Sequence, residues 1–181
     1  MAKEIPHQIF TIGHSTRPSD LFVSILKSFD INLLVDIRTI PRSRYNPQFD
    51  KETLPANLAQ HGVGYLHMAG LGGLRKSRPD SLNQGWRNTS FRGFADYMQT
   101  DEFRSSLKTL IDMSTKHDLV LMCAETLPWQ CHRSLVADAL LVRGINVQHI
   151  FKEGVSRGHR LTPWAQVRGM EIKYPESALE Q

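Results

Sequence analysis

Two cysteines in 181 residues cannot build a disulfide framework. That scarcity points to a reducing compartment, and the cytoplasm is the expected location. No stretch approaches the roughly 18 uninterrupted apolar residues of a membrane span, so no membrane partner is expected. The segment Met1-Ala2-Lys3-Glu4-Ile5-Pro6 lacks the apolar core and small-residue cleavage site of a leader. There is no internal repeat, which excludes solenoids and collagen-like chains. There is also no Pro/Gly/Ser-rich linker. The length therefore predicts one domain over 1–181, with a core from 8 to 151 and a polar tail from 152 to 181.

What is present is ordinary for a globular protein: 40% hydrophobic and 22% charged residues. Charge is the one skewed quantity, with a formal +4. The excess is concentrated. Between Ile37 and Arg92 nine basic residues face three acids. This stretch reads either as a solvated loop surface or as a surface facing an anion.

Gln8 to Ile12 is short and β-rich and ends at Gly13, which predicts a strand. Ser19 is the expected cap of a helix with Leu21, Phe22, Ile25, Leu26 and Phe29 at helical spacing. Asn32 to Arg38 is the second strand, apolar enough to be covered on both faces. A short helix at 53–60 and a strand at 64–68 follow. The stretch from Ala69 to Ser90 is a long inserted loop, and loops of that length are usually functional. Helices are predicted at 91–98 and 101–116, with Thr100 capping the second. A fourth strand covers 119–124, a helix 131–143, and a fifth strand 147–151. The alternation predicts an α/β, Rossmann-like, doubly wound, mostly parallel five-stranded sheet, with order 3-2-1-4-5 expected. Ligands in such sheets bind beyond the carboxyl ends of the strands where the winding reverses.

That point gathers the reactive side chains. Strand one ends in Gly13-His14-Ser15-Thr16-Arg17, strand two in Asp36-Ile37-Arg38, and strand four in Cys123-Ala124-Glu125. The next helix opens with Cys131-His132-Arg133. A thiol at a helix start beside His and Arg is expected to have a lowered pKa, which makes Cys131 a candidate nucleophile. A buried structural thiol is the alternative. Glu125 is read as a general acid or base raised by partial burial, or as a carboxylate paired to Arg133. Arg133 can clamp a phosphate or carboxylate with two bonds. The Cys-x-Arg spacing is too short for a Cys-x5-Arg phosphate cradle.

Cys123, Cys131 and His132 form a candidate metal set, although their spacing matches no common zinc pattern. A structural disulfide between the cysteines is disfavoured by the inferred compartment. Asp36 lies where dinucleotide folds place a ribose-binding acid, but without Gly-x-Gly-x-x-Gly a nicotinamide or flavin is not expected. Its alternative is pairing with Arg38 or Arg17. His14 and Ser15 are read as phosphate contacts or as turn chemistry. Tyr65 and His67 share one face of strand three and either reach the crevice or pack in the core. Gly72-Gly73 couples a flexible turn to Arg75 and Lys76, an arrangement suited to phosphate. Trp86, Trp129 and Trp164 lie in loops among cations, where they either stack on bases or pack in the core.

Together these motifs resemble the DUF488 family. Thr11-Ile12-Gly13-His14-Ser15, Asp36-Ile37-Arg38 with Pro41 and Ser43, Tyr65-Leu66-His67 with Leu71-Gly72-Gly73, and Cys123-Ala124-Glu125 with Cys131-His132-Arg133 occur in the same order. The resemblance spans about residues 9–151. It implies a compact cytoplasmic α/β domain with the motif residues in one site, and it implies no particular reaction.

Three functions are open. The first is an enzyme acting on an anionic small molecule or nucleotide. In it Arg17, Arg38, Arg133, His14 and Ser15 hold the anion, Cys131 or Cys123 reacts, and Glu125 or His132 moves protons. The second is a nucleic-acid-binding or nucleic-acid-processing protein using the basic stretch. The third is a metal-binding domain on Cys123, Cys131 and His132. No organic cofactor is expected, and the oligomeric state cannot be read.

Overall fold

A computed structural model describes residues 7–176. The leader reading of residues 1–6 and the last five residues of the tail lie outside the described residues. The elements run β1 (Gln8–Gly13), α1 (Ser19–Ser28), β2 (Leu33–Asp36), α2 (Leu54–Gln60), β3 (Gly64–His67), α3 (Thr89–Tyr97), α4 (Asp101–Ser114), β4 (Leu119–Cys123), α5 (Arg133–Leu141), β5 (Asn146–Lys152) and β6 (Val155–Gly158). A separate hairpin pairs β7 (Gln166–Arg168) with β8 (Glu171–Lys173).

The six-stranded sheet has the order β3-β2-β4-β1-β5-β6, and only β6 is antiparallel. The expected 3-2-1-4-5 is therefore corrected: β4 lies between β2 and β1, and β5 pairs with β1. Burial gives the reason. Every residue of β4, Leu119-Val120-Leu121-Met122-Cys123, is buried. A strand apolar on both faces belongs in the sheet interior with a neighbour on each side. The expected doubly wound order places β1 beside β2, but consecutive strands are neighbours only about two-thirds of the time. The tail also corrects the reading. Its polar sequence from Lys152 onward holds three short strands, whose exposed faces carry no apolar alternation to signal them.

Side chains alternate across the sheet and build two cores. On one face Ile12, Leu34, Val120 and Met122 meet Phe22, Ile25 and Leu26 of α1 and Leu54 and Leu58 of α2. On the other, Val35, Leu121 and Val147 meet Phe94 of α3, Phe103 and Leu107 of α4, and Leu135 and Leu140 of α5. Two caps differ in outcome. The Thr100 side chain accepts from the Phe103 amide as expected. Ser19 is the first helical residue and not the cap, and its hydroxyl accepts from Asn57.

The chain leaves β1 toward one face and β4 toward the other, and these two strands are neighbours. The reversal point thus survives the corrected order. There the His14 amide donates to the Cys123 carbonyl (2.9 Å) and the Ser15 amide to that of Ala124 (3.0 Å). Ser15 takes a left-handed φ of 52° to do so. Gly13 is required because the turn after β4 passes directly over it: a Cβ there would stand 1.6 Å from the Glu125 carbonyl oxygen. Gly13→Ala is expected to cost about 3 kcal/mol or more in denaturant unfolding. An unchanged midpoint would contradict this close approach.

Candidate functional site

Arg133 opens α5 with its side chain fully buried. No carboxylate meets it among the described residues. One terminal nitrogen donates to Cys123 Sγ at 2.8 Å and to the Glu125 carbonyl at 2.7 Å, and the other donates to the Thr126 carbonyl at 3.0 Å. Its Nε has no partner. A buried cation without an anion is costly, and among the described residues the ionisable group that the guanidinium contacts is the Cys123 thiol.

The second thiol completes a pair. Cys131 lies just before α5, 5% exposed, and accepts weakly from the Arg133 amide (3.5 Å). Both cysteines are free and buried, and each shifts the other's titration. Burial raises the Cys123 thiol, but the Cys131 hydrogen bond and then the Arg133 guanidinium outweigh it and bring it down to about 7. Cys131 moves the other way, raised first by its bond to Cys123 and then by burial. This corrects the expected lowering of the Cys131 thiol. The guanidinium sits against the strand-end cysteine, and Cys131 keeps its own proton.

His132 sits beside Cys131, with Nδ1 3.4 Å from its sulfur. Nε2 faces the carbonyls of Ile37 and Leu71, each at 3.0 Å. Carbonyls only accept, so Nε2 carries the hydrogen and Nδ1 presents a lone pair to the thiol. Burial lowers the imidazole to about 4, so the ring is neutral. Gly73 lies against this ring, where a Cβ would sit 3.1 Å from Nδ1. Gly72 packs on Thr39 in the same way. The two glycines thus fit the loop against the site and do not form a flexible turn.

A second polar cluster adjoins the first. Arg38 pairs with Asp36 at 2.9 and 2.7 Å, and both are almost wholly buried. Tyr65 donates to Asp36 at 2.6 Å, and His67 Nε2 donates to the Arg38 carbonyl at 2.7 Å. Burial and the Asp36 contact push the Tyr65 phenol upward. Arg38 also donates to the Phe49 carbonyl (2.6 Å) and to His14 Nε2 (3.3 Å). His14 stacks on Phe49 at 4.3 Å and gives its Nδ1 hydrogen to the Ser15 carbonyl. Burial lowers it to about 4. Arg17 is held by the carbonyls of Gly13 and Phe151.

Fourteen of the residues singled out from sequence therefore meet in these clusters or brace them. Glu125 contributes only its backbone: its side chain is exposed, because Arg133 takes the carbonyl and the turn projects the carboxylate outward. The expected partial burial and the expected carboxylate pair with Arg133 are both corrected. Ser43 is bound to Asp50 and Asn46 within its own loop. Sequence reasoning missed Phe49 and Thr126, whose hydroxyl donates to Ser15 Oγ at 2.8 Å. It also missed a buried chain joining Thr11, His149, His159 and Asp138 at 2.6, 2.9 and 2.7 Å. Only the strand register could have paired the first two. Among the described residues no group of three or more His, Cys, Asp or Glu is placed to hold a metal ion. No helix among them is long and apolar enough to cross a membrane.

These features define a parallel α/β domain with a buried dithiol, imidazole and guanidinium at its winding reversal. Residues 19–140 match the family described as Domain of unknown function DUF488, and the chain belongs to that family. Searches among curated proteins and among solved structures give no match.

The buried imidazoles set an acid limit. Unfolded His14 and His132 take up protons below about 6.5, whereas the folded rings resist until about 4. The unfolded chain then binds more protons, so stability falls as pH drops from 6.5 to 4. Urea midpoints are expected to decline across this window, and His132→Gln is expected to reduce the decline. A flat wild-type profile would contradict neutral buried rings.

Proposed function

We propose that the protein is an enzyme in which Cys123 and Cys131 act as a pair on a small molecule by two-electron thiol–disulfide chemistry. The observation that carries this reading is the Arg133 guanidinium against Cys123 Sγ, with no carboxylate among the described residues to neutralise it. That arrangement favours a thiolate near neutral pH, and the thiolate is the reactive form. A second buried thiol that interacts with the first, Cys131, supplies the resolving group.

The Cys123 thiolate forms a bond to one sulfur of a substrate disulfide. The substrate S–S bond breaks, and its leaving thiolate takes a proton from solvent. Cys131 passes its proton to His132 Nδ1 and attacks Cys123 Sγ, closing a Cys123–Cys131 disulfide. The second substrate thiol leaves and takes up that proton. Two electrons have then passed to the substrate, and a low-molecular-weight thiol returns them to the protein.

The exposed turn at Ala124, Glu125 and Thr126 covers the pair, and Arg133 ties it down through two carbonyls. The guanidinium groups of Arg38, Arg133 and Arg17 already have protein acceptors, so they support thiol chemistry better than they support clamping a phosphate. The basic stretch follows the same trend: Arg42 pairs with Glu52, Arg78 with Asp80, and Arg92 donates to the Trp86 carbonyl.

The test is treatment of the native protein with glutathione disulfide, read by intact mass and peptide mapping. Wild type is expected to lose the mass of two hydrogens through an internal disulfide. Cys131→Ser is expected to trap glutathione on Cys123, and Cys123→Ser is expected to leave Cys131 unmodified at neutral pH. Modification of Cys131 alone, or of neither thiol before unfolding, would overturn the reading.

A further inference from the structure

Beyond the dithiol, a cavity of about 370 Å³ opens between the turn at Pro128–Gln130, the start of α5 and the strands after it. The size falls within the roughly 300–1,000 Å³ of small-molecule pockets. All three tryptophans of the chain line it. Trp86 and Trp164 meet edge to face at 4.8 Å. Trp129 has no aromatic neighbour among the described residues and is 59% exposed; Trp164 is 38% exposed. Large indole faces left to water at the mouth of one cavity are unused apolar surface, which marks ligand sites more often than chance exposure does.

The polar side of the cavity is cationic. Arg157 lies over the Phe151 ring at 5.3 Å, and Arg160 follows the next strand end. Neither guanidinium has a hydrogen-bond acceptor or an ion-pair partner among the described residues. No acidic residue lines the cavity. His149 and His159 line it too, but their ring nitrogens are engaged in the chain from Thr11 to Asp138. The binding groups left free are therefore aromatic faces and two guanidinium forks.

We propose that this cavity binds a mononucleotide, with its base stacked on the indoles and its phosphate held by Arg157 and Arg160. Every base offers a π face to an indole, and a guanidinium matches phosphate oxygens in a two-bond fork. The cavity has room for one base, and two cations, Arg157 and Arg160, line it, too few for a phosphate track. That favours a single nucleotide over a strand. The floor includes Ser134, whose hydroxyl donates to the Cys131 carbonyl at 2.9 Å. An occupant would therefore touch the start of α5 beside Cys131. The proposal goes beyond the dithiol reading and does not depend on it, because binding is measured without turnover.

The test uses tryptophan fluorescence, since every tryptophan reports on this one cavity, with calorimetry as a second readout. The probes are adenosine and guanosine monophosphates, adenosine, inorganic phosphate and a single-stranded oligonucleotide. Saturable quenching by a monophosphate is expected. Adenosine should bind at least about tenfold more weakly, a loss of one charge-assisted contact set, and phosphate alone should not quench. Exposed Arg157→Ala with Arg160→Ala should bring the monophosphate down to adenosine's affinity, while Trp129→Ala should weaken both. Three results would overturn the proposal: no saturable binding of either monophosphate, monophosphate affinity unchanged in the double variant, or an oligonucleotide that binds far more tightly per base than the monophosphate.

Discussion

The arrangement around the winding reversal depends on one buried positive charge. Arg133 is fully buried, and its guanidinium reaches a sulfur and two backbone carbonyls but no carboxylate. Three consequences follow. Cys123 becomes the group that neutralises the charge and is drawn toward its thiolate. The turn after β4 is pulled in over β1, which leaves no room for a side chain at Gly13. Cys131, just before the same helix, is pushed the other way and keeps its own proton.

A second buried arginine on the neighbouring strand shows the contrast. Arg38 has a carboxylate, Asp36, in two-bond contact, and Tyr65 completes the acceptor's partners. That cluster is electrically closed and braces the site. It fixes His14 through Arg38, and the chain between Asp36 and Arg38 supplies the Ile37 carbonyl that orients His132. The same residue type thus has two roles, set by whether an acid lies within reach. Both imidazoles are neutral because burial disfavours their charged form by more than the carbonyl that each ring N–H meets favours it.

Much of the site was legible in the sequence. The motifs at 13–15, 36–38 and 123–133 were expected at one crevice, and they meet there because β1 and β4 are neighbours in both the expected and the observed order. The order itself failed at β4, whose full burial was written in its apolar run but was outweighed by the rule of adjacency. The guanidinium contact was expected at Cys131 because proximity in sequence put Arg133 next to it, whereas the side chain reaches back along the helix start to Cys123. Glu125 was misread because a carboxylate and its own carbonyl look alike as partners until the turn is built. The cavity of tryptophans lies partly on the tail, where short exposed strands leave no periodic signal. Its residues were visible one by one as loop aromatics among cations, and only the fold brings Trp86, Trp129 and Trp164 together.

The central claim, that Cys123 is the counter-ion of Arg133, is tested most directly by thiolate absorbance as a function of pH. The account predicts that the folded protein releases one thiol proton with a midpoint near about 7, while the second stays bound well into the alkaline range. It further predicts that Cys123→Ser abolishes the first step and that Arg133→Met moves it upward. A wild-type protein that shows no thiolate below pH 9, or whose first step survives in Cys123→Ser, would contradict it.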